Sequence, residues 1–177
     1  MMKKIIAIVS GLTIGLLGAA TAFATDYTEI NTCGYQITQP GRYKVMQNLV
    51  CSQQAPYVGI MISNVQSSNK VELDLNGYTL RGNNGQGIGI FIIESRNIEI
   101  HGSHNSRIER FETGIQLWKN NQKVDVDGDG LQLRQNRTGV LLRNSEDIKL
   151  KELKMQFNTA DVVFSNAKDV EVRDFNQ

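Results

Sequence analysis

Three features are scarce in this sequence of 177 residues: helical periodicity, an excess of charge of one sign, and cysteine. After residue 24, no stretch of ten or more residues repeats apolar side chains at the i, i+3, i+4 spacing of a helix, which excludes a helical repeat. The 19 basic and 18 acidic residues nearly cancel, so no basic excess indicates a nucleic-acid partner. The chain also has no Ser-His-Asp arrangement, phosphate loop or Cys/His zinc cluster, which excludes the activities that depend on them.

Residues 1–24 have the pattern of a secretory signal peptide. Two lysines precede an apolar run over residues 5–17, and Ala22-Phe23-Ala24 fits a small-x-small cleavage site. Serine, glycine and threonine interrupt the run, which favours a cleaved signal over a permanent membrane anchor. We therefore predict cleavage after Ala24 and a periplasmic or secreted protein.

A short phrase recurs five times after residue 58. Each copy is a Gly or Asp followed by alternating apolar residues, and a second apolar strand follows about ten residues later. The first phrases begin at Gly59, Gly89, Gly114, Gly139 and Asp161. The second phrases begin at Val71, Ile98, Val124, Ile148 and Val170. A period of 22 to 30 residues in strand-like sequence is typical of a solenoid.

The local pattern indicates which kind of solenoid this is. The apolar residues alternate with a period of two, as in a strand, and Gly, Asn, Ser and Asp separate the strands, as sharp bends require. Strand and bend in alternation predict an all-β parallel β-helix. A third strand in each coil fits less regularly, at Thr79-Leu80, Ile108, residues 131–133, residues 153–155 and Phe175.

Residues 33–177 resemble the right-handed parallel β-helix repeat proteins, the pectin-lyase-like superfamily that includes pectate lyases, polygalacturonases and alginate epimerases. The most specific block is the sequence of residues 71–82, VELDLNGYTLRG; ahead of it, Cys33-Gly34, residues 40–43 and residues 49–51 are similar to the first segment of secreted members. The resemblance implies a right-handed parallel β-helix. It does not imply one activity, since the same repeats occur in lyases, hydrolases, epimerases and adhesive proteins.

We predict three segments: the signal peptide at 1–24, a capping segment at 25–58 and β-helix coils at 59–177. Cys33 and Cys51 are the only cysteines, and in an oxidising compartment they favour a disulfide that ties the capping segment over the first coil. The printed sequence stops at Asp174-Phe175-Asn176-Gln177, partway through a coil and without a polar cap. We expect one of two explanations: a partner such as a second copy of the chain covers this open end, or the chain is a shortened relative of a longer protein.

The first strand of each coil predicts a core column and an outer stripe. Its inward side chains are Ile60, Ile62, Ile90, Ile92, Ile115, Leu117, Val140, Leu142, Val162 and Phe164. The outward side chains are largely apolar, and we take Phe91, Gln116, Trp118, Leu141 and Arg143 as candidate binding residues. Three explanations stay open: the capping segment covers the stripe, a second protein chain does, or the stripe is a sugar platform centred on Trp118.

The second strand carries charge on its outer side. Asp74, Glu99 and Asp125 are expected to stack as like charges on adjacent coils, which is unfavourable unless they are solvated or bind a cation. Residues 125–130 match the start of a calcium loop, with Asp125, Asp127 and Asp129 as candidate ligands, but Asn136 stands at its twelfth position instead of Glu. The alternatives are a calcium site and a soluble face that ends in an Asp-Gly turn.

Catalysis has one candidate cluster. His101 is expected in a corner column with Asn76 and Asp127, either as a hydrogen-bonded turn residue or as a general base that works with Asp127. An enzyme would use His101, Asp127, Asp125 and Asp74. The outer side of the first strand lacks the carboxylates of the polysaccharide-cleaving relatives, so we expect a carbohydrate- or protein-binding module without a cofactor. A polysaccharide lyase or glycoside hydrolase acting on acidic glycans is the alternative.

Overall fold

The computed structural model describes residues 27–51 and 57–175. These residues form sixteen strands and no helix, so none of their segments is a membrane-spanning helix. The predicted signal peptide lies outside the described residues. The strands are β1 Thr28–Ile30, β2 Tyr35–Ile37, β3 Gly41–Val45, β4 Leu49–Cys51, β5 Val58–Ser63, β6 Val71–Asp74, β7 Thr79–Gly82, β8 Ile88–Ile93, β9 Arg96–His101, β10 Arg107–Glu109, β11 Thr113–Asp127, β12 Gln132–Arg134, β13 Thr138–Lys151, β14 Lys154–Gln156, β15 Ala160–Ser165 and β16 Lys168–Arg173.

Every strand pair is parallel, and the strands wind into a solenoid with three faces. The first face contains β2, β5, β8, the first halves of β11 and β13, and β15. The second face contains β1, β3, β6, β9, the second halves of β11 and β13, and β16. The third face is a separate five-stranded sheet, in the order β14-β12-β10-β7-β4. The predicted all-β parallel solenoid is confirmed.

The bends between faces use left-handed backbone at repeated positions. Asn97, Lys123, Asp147 and Asp169 occupy one such position on four successive coils, with φ of 56°, 54°, 54° and 49°. Asn and Asp adopt this conformation with less strain than most residues, which explains why they recur between the strands.

The third strands also differ from their predicted positions, because β7 extends to Gly82 and no strand includes Phe175 in the described part of the chain.

The interior is a set of aliphatic columns, as predicted from the period of two. The inward residues of β5, β8, β11 and β13 on the first face are all fully buried, from Ile60 to Leu142. The expectation for the fifth copy is wrong: Phe164 is 51% exposed and Val162 is only partly buried. In the described structure β15 has one strand neighbour, β13, so no further coil covers the other side of Phe164.

The described part of the capping segment builds the first coil of the solenoid. Strand β2 pairs with β5, β3 pairs with β6, and β4 pairs with β7. It therefore extends the faces along the axis and does not cover the outer stripe of the first face. The predicted disulfide is present: Cys33, between β1 and β2, is bonded to Cys51 at the end of β4, with 5.5 Å between their Cα atoms.

Candidate functional site

The candidate binding residues form two adjacent columns on the outer side of the first face. Gln116 pairs in register with Phe91 on one side and with Leu141 on the other. Trp118 pairs in the same way with Ile93 and Arg143. Since neighbouring strands lie about 4.8 Å apart, the structure brings the five predicted binding residues together in one patch on three coils.

Trp118 and Arg143 form the most specific contact of this patch. The Arg143 guanidinium carbon lies 4.9 Å from the centre of the Trp118 ring, in a cation–π arrangement. Arg143 Nε is buried and has no hydrogen-bond partner in residues 27–51 and 57–175, and Gln116 is only 8% exposed. The patch is therefore a packed surface in which Arg143 lies over Trp118, its one indole.

A polar groove runs beside this patch along the corner between the first and second faces. It consists of two cavities, of about 280 and 540 Å³, that share Asn120 and Gln122. We call the combined feature the corner groove. Its lining side chains come from five successive coils: Asn64, Gln66, Glu94, Arg96, Asn120, Asn121, Gln122, Asn144, Ser145, Glu146, Asn166 and Lys168.

The floor of the corner groove is a buried polar ladder. Asn121, fully buried, accepts a hydrogen bond from the Ser95 backbone N–H at 3.1 Å. Its amide donates to the carbonyls of Ile92 at 3.1 Å and Trp118 at 3.0 Å. Ser95 in turn accepts from the Val65 N–H at 3.2 Å. Because each rung ties one coil to the next, the ladder fixes the spacing of the groove residues above it.

The side wall of the corner groove is a column of one amide and three charged side chains. Strand register aligns Arg96 with Gln122, Gln122 with Glu146, and Glu146 with Lys168. Arg96 donates to the Gln122 carbonyl oxygen, and the Gln122 amide donates to Glu146. The wall therefore presents donors and acceptors in turn along the solenoid axis. Sequence analysis missed this wall because it considered the strands face by face and not the corners between them.

The second face carries charge on its outer side, but in different columns from those expected. Glu72, Glu99 and Asp125 are aligned, whereas Asp74 is aligned with His101. The predicted Asp74-Glu99-Asp125 column is therefore wrong, because the core residues Val71, Ile98 and Val124 set the register. For the same reason Asn76 is not in the His101 column.

Basic side chains separate the like charges of this face. Lys70 lies between Glu72 and Glu99, hydrogen-bonded to Glu99, and Lys151 donates to Asp125 at 3.0 Å. The hydrogen bond to Asp125 raises the pKa of Lys151 above its ordinary value, as the bond to Glu99 does for Lys70. A solvated ion-pair network therefore balances much of the acidic charge without requiring a metal.

The four catalytic candidates lie on this second face. Asp74, His101 and Asp127 occupy consecutive positions of one column, with Asp125 two residues before Asp127. Lys44 lies 3.4 Å from Asp74, and Glu99 lies 3.3 Å from His101. The cluster exists, but three of its members are paired with charged neighbours, and Asp125 Oδ1 is buried without a hydrogen bond in the described residues.

The calcium candidates do not form a binding site in the described residues. Asp125 and Asp127 point outward from one strand, while Asp129 lies in the following turn, with its carboxylate 3.9 Å from His104. No group of three or more His, Cys, Asp or Glu side chains in residues 27–51 and 57–175 could hold a metal ion. We derive no calcium chemistry from Asp125, Asp127 and Asp129.

The third face holds a carboxylate that sequence analysis did not single out. Glu109 points outward but is 3% exposed, because Arg81 lies 2.6 Å from one of its oxygens and Arg134 lies 3.6 Å from the other. The three residues are aligned on adjacent strands. The signal in the sequence was their common position after the inward residue of each third strand.

No protein-family model, curated protein or solved structure matches the chain. Membership of the pectin-lyase-like superfamily therefore stays a prediction, and what is established is a parallel β-solenoid with one disulfide.

Proposed function

We propose that this protein is an exported binding module that holds a linear carbohydrate along the corner groove, with Trp118 as an aromatic platform beside it, and that it does not cleave its ligand. The corner groove carries the proposal, because it runs along the solenoid and is lined by amide and charged side chains on successive coils. Trp118 lies in the same strand as the groove residues Asn120–Gln122.

The chemistry of the corner groove suits sugar hydroxyl groups. Amide side chains both donate and accept hydrogen bonds, and the carboxylates of Glu94 and Glu146 add acceptors. An exposed part of an aromatic ring offers an apolar surface with a polar rim, which suits a ligand that has both kinds of surface. Sites that repeat every coil, at about 4.8 Å, suit a polymer better than a small molecule.

The catalytic alternative has less support from the contacts. General acid–base catalysis needs carboxylates that are free to transfer protons within reach of the substrate. Asp125 is held by Lys151 and Asp74 by Lys44, and these residues lie on the second face and do not line the corner groove. A binding role needs no such free carboxylate.

Export is part of the proposal. The signal-like sequence of residues 1–24 and the Cys33–Cys51 disulfide are its support, since disulfides persist in oxidising compartments. Fractionation of expressing cells, with N-terminal sequencing of the recovered protein, tests it. The expected N-terminus is Thr25 in the periplasmic or external fraction; uncleaved protein in the cytosol would contradict export.

Glycan binding is tested with the mature protein on a glycan array, followed by titration calorimetry with the best oligosaccharide. Trp118→Ala and Gln122→Ala are each expected to weaken binding about tenfold, which corresponds to about 1.4 kcal/mol. Gln132→Ala, the same change on the third face, is the matched control and should leave affinity unchanged.

The same samples distinguish the alternatives. The oligosaccharide should be recovered intact after incubation, and shortened or unsaturated products would favour a lyase or hydrolase. If no glycan binds while Trp118→Arg converts an oligomer to a monomer, the stripe is a protein interface instead. If no glycan binds and the oligomeric state does not change, the carbohydrate proposal is wrong.

A further inference from the structure

The third face differs from the other two in its balance of charge. The surface of this face is formed by the outward positions of β4, β7, β10, β12 and β14 and by the residues directly after β10, β12 and β14. These positions include five cationic side chains: Arg81, Arg107, Arg110, Arg134 and Lys154. Their one carboxylate, Glu109, is buried beneath two of the arginines. The charge that a partner would meet on this face is therefore positive.

Exposed apolar side chains border the same face. Val50, in register with Arg81, is 62% exposed, and Phe157, directly after β14, is 81% exposed. Phe157 has φ of 57°, a left-handed conformation that asparagine or glycine would adopt with less strain. An aromatic ring is thus held in solvent at a backbone position that does not favour it.

Two of these arginines, Arg107 and Arg134, have a buried Nε that makes no hydrogen bond within the described ranges, although buried donors in folded proteins are nearly always paired. Arg107 is aligned with Gln132, and Gln132 with Lys154, along the column next to the one that contains Glu109. An anionic group at this column would meet two cations and one amide.

We propose that the third face docks on the surface of a lipid bilayer that contains anionic headgroups. Charge complementarity attracts the cations to such a surface, and the apolar tips of Val50 and Phe157 enter the boundary between headgroups and acyl chains. These apolar tips favour a bilayer over a hydrated polyanion, which would leave them in water. Because the corner groove lies between the other two faces, a docked protein would keep the groove open to solvent.

Vesicle co-sedimentation of the mature protein tests this proposal. Vesicles of phosphatidylcholine mixed with phosphatidylglycerol should bind the protein, vesicles of pure phosphatidylcholine should bind it much less, and added salt should release it. Arg107→Gln and Lys154→Gln should each weaken partitioning about fivefold, the equivalent of about 1 kcal/mol per charge. Lys149→Gln, the same loss of charge on an exposed position of the second face, is the matched control and should have little effect.

Phe157→Asn provides a second test that does not depend on charge. Asparagine suits the left-handed backbone, so the variant should fold at least as stably as the parent protein while it partitions several-fold less onto the mixed vesicles.

Equal binding to both kinds of vesicle, an equal loss with Lys149→Gln, or unchanged partitioning of Phe157→Asn would overturn the proposal. So would tighter binding to polygalacturonate or duplex DNA that prevents vesicle binding. Glycan titrations of the same variants show whether the corner groove is intact, so failure here is distinguishable from failure of the carbohydrate proposal.

Discussion

The buried ladder beneath the corner groove gives a sharp prediction for Asn121→Ala. The change removes the acceptor of the Ser95 N–H and the donor of the Ile92 and Trp118 carbonyls. A buried donor without a partner costs about 1–3 kcal/mol, and each lost hydrogen bond about 1 kcal/mol. We expect the free energy of unfolding to fall by about 3–5 kcal/mol, as much as for a large aliphatic truncation.

Asn120→Gly is the matched control. Asn120 is exposed and has φ of 55°, a conformation that glycine also adopts readily, so the change should alter stability by about 0.5 kcal/mol or less. Urea unfolding, followed by circular dichroism, measures both variants against the parent protein at constant m. If Asn121→Ala lowers stability no more than Asn120→Gly does, the ladder does not hold the coils together and our account of the groove floor is wrong.

Three further predictions concern the core, the disulfide and the ion pairs. Ile92→Ala should destabilise the protein by about 2–5 kcal/mol, whereas Glu99→Ala should be nearly neutral; equal effects on the urea midpoint would contradict the inward and outward assignment. Reduction of the Cys33–Cys51 disulfide should lower stability by about 3 kcal/mol, and alkylation of the exported, folded protein should detect no free thiol. The folded-state pKa of Lys151 is raised by its hydrogen bond to Asp125. Its contribution to stability is therefore fully present at a pH below 10.5, its ordinary pKa, and is lost as the pH rises beyond that value. Thermal melts should therefore show a smaller alkaline loss for Lys151→Met than for the parent protein, and identical pH profiles would refute this.

Part of this structure could be predicted because a strand has a side-chain period of two. That period placed Ile60 through Leu142 in the core and set Trp118 beside Arg143, and both assignments agree with the strand register. Phe164 was misplaced because its burial depends on a neighbouring coil and not on its own strand. The period of two therefore predicts burial well for a coil with neighbours on both sides, and less well for a described coil with one neighbour.

The corners were harder to predict because their residues do not repeat evenly. Ser95 and Ser145 follow the last inward residue of their strands by three positions, whereas Asn121 follows Leu117 by four, and the register shifts between Trp118 and Asn121. The extra residue interrupts the pattern that would have identified the ladder.

The first coil also lacks a clear signal in the sequence. Strands β1 to β3 follow one another within residues 28–45, so they do not show the period of 22 to 30 residues. Their place in the solenoid depends on pairing with β5 and β6, which lie later in the chain. Non-local pairing of this kind leaves no local signal in the sequence.

The wall of the corner groove repeats in shape but not in chemistry. Successive coils present Arg96, Gln122, Glu146 and Lys168 at equivalent positions. A polymer that moved by one coil would find the same spacing but exchange a cation for an amide, or an amide for an anion. A linear ligand bound in the corner groove would therefore have one direction and one preferred alignment, even though the repeated backbone alone would allow several.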